Sequence, residues 1–449
     1  MKNQKYHKIQ SFKTSAAILL ILTISFGQDF NSWFTGQTLR LDYYHNGTAE
    51  EEHISLDQIR LEGTWPGNPS SLLDETNYGK YVFEVMDQET GTMIYSQSFA
   101  SIFGEWQTIK EAANGIRRTF HESQRFPEPR KPVTVVLKKN NNSGQFDFLF
   151  SLDVDPQSRF VNRSQIIKQH KIWKLVNSGE SGKKVDLLFL GDGYKKHEQA
   201  KFRRDALRML DTLFKYEPYK FRKSDFNVWG VAVPSLESNI SNPRAGIWKN
   251  NIFGTTFNTF DLDRYVLTYA NKEVREIAAQ APYDALIIIA NDEKYGGGGI
   301  YNLYATTTSD NARSSFVFIH ELGHSFAGLG DEYYTSDVSY ENFNPLDVEP
   351  NDPNITALHD PDKLKWQHLV DASTPLPTPW NKIAYDNGEQ VNLKEETYYG
   401  KVGAFEGAGY APKGMYRPEV TCLMLTSKAG RFCKVCQEAI DQKIEFYVK

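Results

Sequence analysis

The run from Phe316 to Tyr334 constrains this chain more than any other. Phe316-Val317-Phe318-Ile319 is apolar and His320-Glu321-Leu322-Gly323-His324 follows it; Gly328 and Gly330 then break the pattern, and Asp331 and Glu332 come straight after. On a helix, residues four apart lie one turn apart on one face, so His320 and His324 can direct both imidazoles at one metal ion. Two imidazoles from one helix make a half-site suited to zinc. Glu321 is offset from that edge, where it can hold a zinc-bound water and take its proton. An apolar helix that stops at glycines and turns back to two carboxylates has the means to supply a third ligand. A buried helix with two satisfied core histidines would have no use for so many carboxylates beside them.

The rest of the chain divides by pattern. The first residues are Lys-rich and carry no acid, an apolar run from Ser15 to Ile24 follows, and Ser25-Phe26-Gly27 ends it. This reads as a signal peptide over residues 1–27, with the exported chain starting at Gln28; the run is too short for a membrane anchor, which needs about 20 apolar residues. No later segment reads as a membrane span. Residues 28–170 alternate: Thr38–Tyr43, Tyr81–Val85, Pro132–Leu137 and Gln145–Leu152 are strand-like between Gly, Asn, Asp and Pro turns, which predicts an antiparallel β-sandwich. Asp42-Tyr43-Tyr44-His45 falls in such a strand and reads as strand rather than as a ligand cluster.

From Lys184 the pattern becomes α/β. Val185–Leu190, Asn227–Val233 and Ala285–Ala290 are continuous apolar strands, and Phe202, Ala206, Met209, Leu210 and Leu213 repeat at helical spacing between the first two. Strands apolar throughout belong in a sheet covered on both faces. The expected fold is therefore two-domain, with the α/β domain spanning 171–449. Charge is interspersed, with 51 Lys plus Arg against 56 Asp plus Glu and a net charge of −5, which argues against a nucleic-acid partner. Only Cys422, Cys433 and Cys436 are present, the last two as a CxxC. A structural zinc site needs four ligands and no His lies beyond His368, so one disulfide from Cys422 to either member of the pair, leaving one thiol, is the expectation in an oxidising compartment.

The stretch His320–Tyr333 resembles the zinc helix of the M64 peptidases, the immunoglobulin A peptidase family of metzincin-like exported bacterial metalloendopeptidases. Glu406-Gly407-Ala408-Gly409-Tyr410, Gly414-Met415-Tyr416-Arg417-Pro418, Cys422-Leu423-Met424 and Phe432-Cys433-Lys434-Val435-Cys436 are similar to that family as well. The resemblance runs from about Lys184 to the C-terminus and is looser over the sandwich. It implies a metzincin-like zinc-peptidase domain. The metzincin pattern HExxHxxGxxH is not met, because Ala327 and Gly330 stand where it has Gly and the last ligand, and Gly328 and Asp331 come one residue late.

No His lies between His324 and His359, so the third ligand is expected to be a carboxylate. Asp331 comes first, being short and near the metzincin ligand position; Glu332 is second, and Glu341 is a more distant, thermolysin-like alternative. In an extended segment successive side chains point opposite ways, so only one of Asp331 and Glu332 can face the metal. Met424 is the candidate for the turn beneath the zinc. Tyr416 is the candidate donor to a developing oxyanion. The glycines 296–299 read as a flexible loop leading into an exposed strand at the upper rim of a cleft, where an extended peptide adds.

The sequence reading is thus an exported zinc-dependent endopeptidase, periplasmic or extracellular, acting on a protein or peptide substrate through a water activated by Glu321. Oligomeric state is left open. Two rival classes are a hydrolase of another amide, such as one in the cell wall, and a binding protein with a vestigial metal site. The second has no need of Glu321.

Overall fold

The computed structural model describes residues 29–141, 144–335 and 345–448. The expected signal peptide, Gln28 and Glu341 lie outside them.

A short helix, α1 (Phe30–Trp33), leads into β1 (Phe34–Gly47), which pairs antiparallel with both β2 (Glu52–Thr64) and β5 (Arg118–Pro129). β3 (Tyr81–Asp87), β4 (Met93–Phe99), β6 (Val133–Asn140) and β7 (Phe146–Val154) form the facing sheet, in the order β4-β3-β6-β7, and β8 (Val161–Asn162) closes the first sheet beside β2. Alternation decides what faces inward. Leu39, Leu41 and Tyr43 of β1, Tyr81, Phe83 and Val85 of β3, and Val133, Val135 and Leu137 of β6 fill one core between the sheets. The sandwich reading of the alternation thus matches the strands observed. Asp42 is engaged by Arg40, Gln58 and Ser123, and His45 is held between Glu52 and Glu122.

Two short helices, α2 (Ile102–Trp106) and α3 (Lys110–Ala113), interrupt the sandwich between β4 and β5. They are too short to leave a periodic trace in the sequence.

The second domain is built on a six-stranded sheet of order β13-β14-β12-β10-β11-β9. β9 (Lys171–Val176) and β13 (Gly297–Ile300) are the antiparallel edges; β10 (Val185–Asp192), β11 (Phe226–Ala232), β12 (Ala285–Ala290) and β14 (Tyr304–Thr308) run parallel between them. Every residue of β10 and β11 is buried. Leu187 and Phe189 enter a core with α4 (Gln199–Leu213), α6 (Ser314–Ala327) and α8 (Lys434–Val448). Leu188 and Leu190 point the other way, into a core with α5 (Asn271–Ala278) and with Ile102, Phe103 and Trp106 of the first domain. Covering on both faces is why β10, β11 and β12 read as near-continuous apolar runs, with Asp186 and Asn227 buried among them.

The sandwich is therefore fused to the sheet through shared core. A buried ion network reinforces the junction: Arg40, fully buried, pairs with Asp42 at 2.8 Å, Glu62 at 2.6 Å and Glu276 of α5 at 2.6 Å. Three carboxylates around one guanidinium offset a desolvation cost that an isolated buried charge could not bear.

After α6 the chain runs through long irregular connections, a short helix α7 (Lys382–Asp386), and a hairpin of β15 (Phe405–Ala408) and β16 (Ala411–Arg417) before α8.

Candidate metal centre

α6 packs directly on β13 and β14. The contact is possible because β13 is almost all glycine. A Cβ on Gly299 would stand 2.4 Å from the Glu321 carbonyl oxygen and 3.0 Å from the His324 Cβ, and one on Gly297 would meet Val317 at 2.4 Å. The glycines 297–299 are thus a strand of the sheet rather than a flexible loop. Their missing side chains let the strand edge lie against the histidine helix. Gly328 ends α6 in the left-handed region, at φ 65°, and the chain turns back to Asp331.

The two rings are fixed from behind. His320 Nδ1 lies 3.2 Å from the Leu423 carbonyl and His324 Nδ1 bonds the Leu329 carbonyl. A carbonyl can only accept, so each ring donates from Nδ1 and turns Nε2 inward as the nitrogen that can engage a cation. The two Nε2 atoms are 3.2 Å apart, and Asp331 Oδ1 lies 3.0 and 3.3 Å from them. Ligands at about 2.0–2.1 Å from a tetrahedral zinc stand about 3.3–3.4 Å from one another. The three atoms therefore have the spacing of three corners around one ion. Asp331 Oδ1 is buried and takes no hydrogen bond, as a carboxylate oxygen reserved for a cation would be. The residues fit a divalent metal. Burial works against charge on His324, yet the Asp331 carboxylate beside it pulls its pKa up to about 10. Burial likewise opposes charge on Asp331, but the two imidazoles outweigh it and hold the carboxyl well below its usual range.

Tyr410 donates to the other Asp331 oxygen at 2.5 Å. It occupies the two-residue turn of the β15–β16 hairpin, with Gly409 and Tyr410 both at positive φ, 55° and 66°. A tyrosine in that region is strained, and its bond to Asp331 gives the strain a use. Glu321 lies on the cleft side of α6, its pKa raised by burial and partly drawn back by the two histidines. Met424 is fully buried beneath the helix, and a Cβ on Gly323 would come 3.1 Å from its sulfur.

Tyr416, expected beside the reacting carbonyl, lies on β16 opposite Glu406 and bonds Thr356 through its backbone; it is not among the residues lining the cleft. Hairpin register decides this. Tyr333 and Tyr410 line the cleft instead, with Tyr333 stacked on His320 and receiving a bond from Arg264. The opposite wall comes from the sandwich, through Lys80, Ser101 and Glu105. No local pattern announces those residues.

The expected disulfide is not formed. All three cysteines are free and buried, and the sulfurs of Cys422 and Cys436 are 3.7 Å apart, far beyond a bond. Glu332 faces them, away from the histidines, with Oε1 3.3 Å from Cys436 Sγ and 3.8 Å from Cys433 Sγ. The sulfurs are arranged around a carboxylate rather than paired with one another.

Among the described residues no helix is long and apolar enough to cross a membrane. None of the curated proteins matches the chain. Residues 173–396 and 383–444 match the family model described as IgA peptidase M64, and residues 29–151 match that of the peptidase M64 N-terminus. With more than half its length matched, and the histidine helix and its carboxylate inside the matched region, the chain belongs to the M64 peptidase family.

Proposed function

We propose that this peptidase is an exported, metzincin-like zinc endopeptidase whose metal is held by His320, His324 and Asp331. The observation that carries the reading is the convergence of the two Nε2 atoms and Asp331 Oδ1 at 3.0–3.3 Å, with Glu321 beside them in the same cleft. Zinc bound there supplies Lewis-acid polarisation and lowers the pKa of a coordinated water. The chain's own groups do the rest. Glu321, lining the cleft beside the three converging groups, accepts the proton of the attacking water and returns it to the departing amine nitrogen. Arg264 and Tyr333, at the cleft wall, offer donors toward charge developing on the scissile carbonyl. The edge strand β13 lines the cleft with Gly297 and Gly299; Gly297 already pairs with Arg264 and Val266 on that edge, so an extended peptide can pair alongside the strand at Gly299. The sandwich wall confines that peptide from the other side. Export rests on the Lys-rich start and short apolar run at residues 1–27.

The test is cleavage of a denatured protein mixture by the purified chain, with and without a chelator, followed by mapping of the new termini. Internal cuts that vanish with chelator and return with zinc support the reading. Cleavage indifferent to chelator, or none on any polypeptide while a cell-wall amide is hydrolysed, overturns it.

A further inference from the structure

We propose a second metal centre, a closed structural zinc site formed by Cys422, Cys433, Cys436 and Glu332. It does not depend on the peptidase reading.

All four side chains have zero solvent exposure, and their ligand atoms lie within 4.8 Å of one another. The distances within the group have the scale of a tetrahedron. With zinc–sulfur bonds of about 2.3 Å and zinc–oxygen bonds of about 2.0–2.2 Å, neighbouring sulfurs stand about 3.8 Å apart and a sulfur and oxygen about 3.5 Å. Cys422 and Cys436 sulfurs are 3.7 Å apart, and Glu332 Oε1 is 3.3 and 3.8 Å from the other edges it makes.

The surroundings are those of bound thiolates. Cys433 and Cys436 flank the start of α8, whose free N–H groups favour negative charge. Backbone amides point at sulfur, from Cys433 to Cys422 at 3.1 Å and from Cys436 to Cys433 at 3.4 Å. Glu332 Oε1 accepts from the Asn354 amide at 3.0 Å and faces the Cys436 and Cys433 sulfurs, while Oε2 is buried without a partner. A carboxylate sealed among three thiols is costly unless a cation joins it. Arg417, also fully buried and near enough to interact with Glu332, helps balance the excess negative charge of such a site.

All four positions are taken by protein, so the site has no opening for substrate, and its work is to hold structure. What it holds is informative. The Cys422–Met424 turn gives the Leu423 carbonyl to His320 and the Met424 carbonyl to the Glu332 amide, at 3.0 Å. One ion would pin α8, that turn and the Asp331–Glu332 segment together.

The experiment is metal analysis of the full chain, reconstituted with zinc under reducing conditions, beside a His320→Ala/His324→Ala variant. Two zinc ions per chain and one in the variant are expected. With cobalt in place of zinc, both proteins should show the intense near-ultraviolet thiolate-to-cobalt absorption, which histidines and a carboxylate do not give. The variant leaves the cysteine cluster untouched, so the reading survives any folding fault in a cysteine mutant. One metal per chain that disappears in the variant, or a cobalt form without the thiolate band, overturns the proposal. So does a single titratable thiol in the exported protein after denaturation, which would mean the sulfurs are paired.

Discussion

Asp331 and Glu332 are adjacent in the chain, yet their carboxylates serve opposite sides of it. Asp331 Oδ1 lies 3.0 Å from His320 Nε2, while Glu332 Oε1 lies 3.3 Å from Cys436 Sγ. The alternation of an extended segment separates the two, and each is buried where it points. Asp331→Ala should therefore strip the metal from the histidines and leave the cysteine cluster unaltered, whereas Glu332→Ala should keep histidine-bound metal. Metal titration of both variants, after circular dichroism shows each folded, checks the assignment; the reverse pattern would invert it.

Glu321→Ala should lower turnover by about 10²–10⁴-fold while bound metal stays unchanged. Glu321 lines the cleft but is not one of the three converging groups. Steady-state assays paired with metal analysis decide the matter, and a variant that keeps most of its rate would remove Glu321 from the mechanism.

Tyr410→Phe removes the hydrogen bond to Asp331 Oδ2 but keeps the ring. Metal affinity should fall by roughly 10–100-fold, the usual cost of losing a group that orients a ligand. A competition titration against a chelator measures it. Tyr416→Phe, outside the cleft, should change affinity little.

Gly299→Ala puts a methyl 2.4 Å from the Glu321 carbonyl oxygen, and that neighbour is backbone that cannot swing aside. The helix must move, at roughly 1–3 kcal/mol, and activity should fall further than stability because Glu321 and His324 move with it. Gly91→Ala is the control, since no atom lies near a Cβ there, although its φ of 69° carries its own strain. Thermal denaturation and turnover on both variants separate the effects.

Acid should loosen the sandwich through Glu52. Burial opposes charge on this carboxyl, but His45 at 2.7 Å and Lys139 outweigh it and bring its pKa down to about 2. A carboxyl depressed on folding stabilises above its unfolded pKa, near 4.5, and that stability drains away as pH falls from there toward 2. The contribution is up to about 3 kcal/mol. Denaturant unfolding at pH 6 and pH 3 should show a smaller drop in Glu52→Gln than in the parent chain; equal drops would place the acid sensitivity elsewhere.

What could be read in advance was local. The strands of residues 185–190, 227–233 and 285–290 stand out because burial on both faces leaves few polar positions, Asp186 and Asn227 among them. β3 and β6 stand out because burial on one face leaves every second one, and β1 alternates because its second face is a buried polar layer around Arg40 and Asp42. The His320, Glu321 and His324 grouping is one turn of helix. Tyr410 lies 79 residues from Asp331, and Glu332 lies 104 from Cys436. Partners that far apart leave no period in the sequence. The cysteine cluster looked one ligand short for this reason: its fourth group is a carboxylate some ninety residues upstream of the first cysteine. Tyr416 and Tyr410 share one hairpin, and turn geometry, invisible to composition, decides which phenol reaches the cleft.

Phe103 and Trp106 are buried in the same core as Leu188, Leu190 and Val231, and this has a thermodynamic consequence. Separating the sandwich from the sheet would expose that whole apolar layer to water, so neither half has an independent melting point to show. The chain should absorb heat in one peak, with its calorimetric and van't Hoff enthalpies in agreement. A proteolytic nick in the exposed connection around Arg163–Gln169 should leave two fragments that still migrate as one particle until they unfold together.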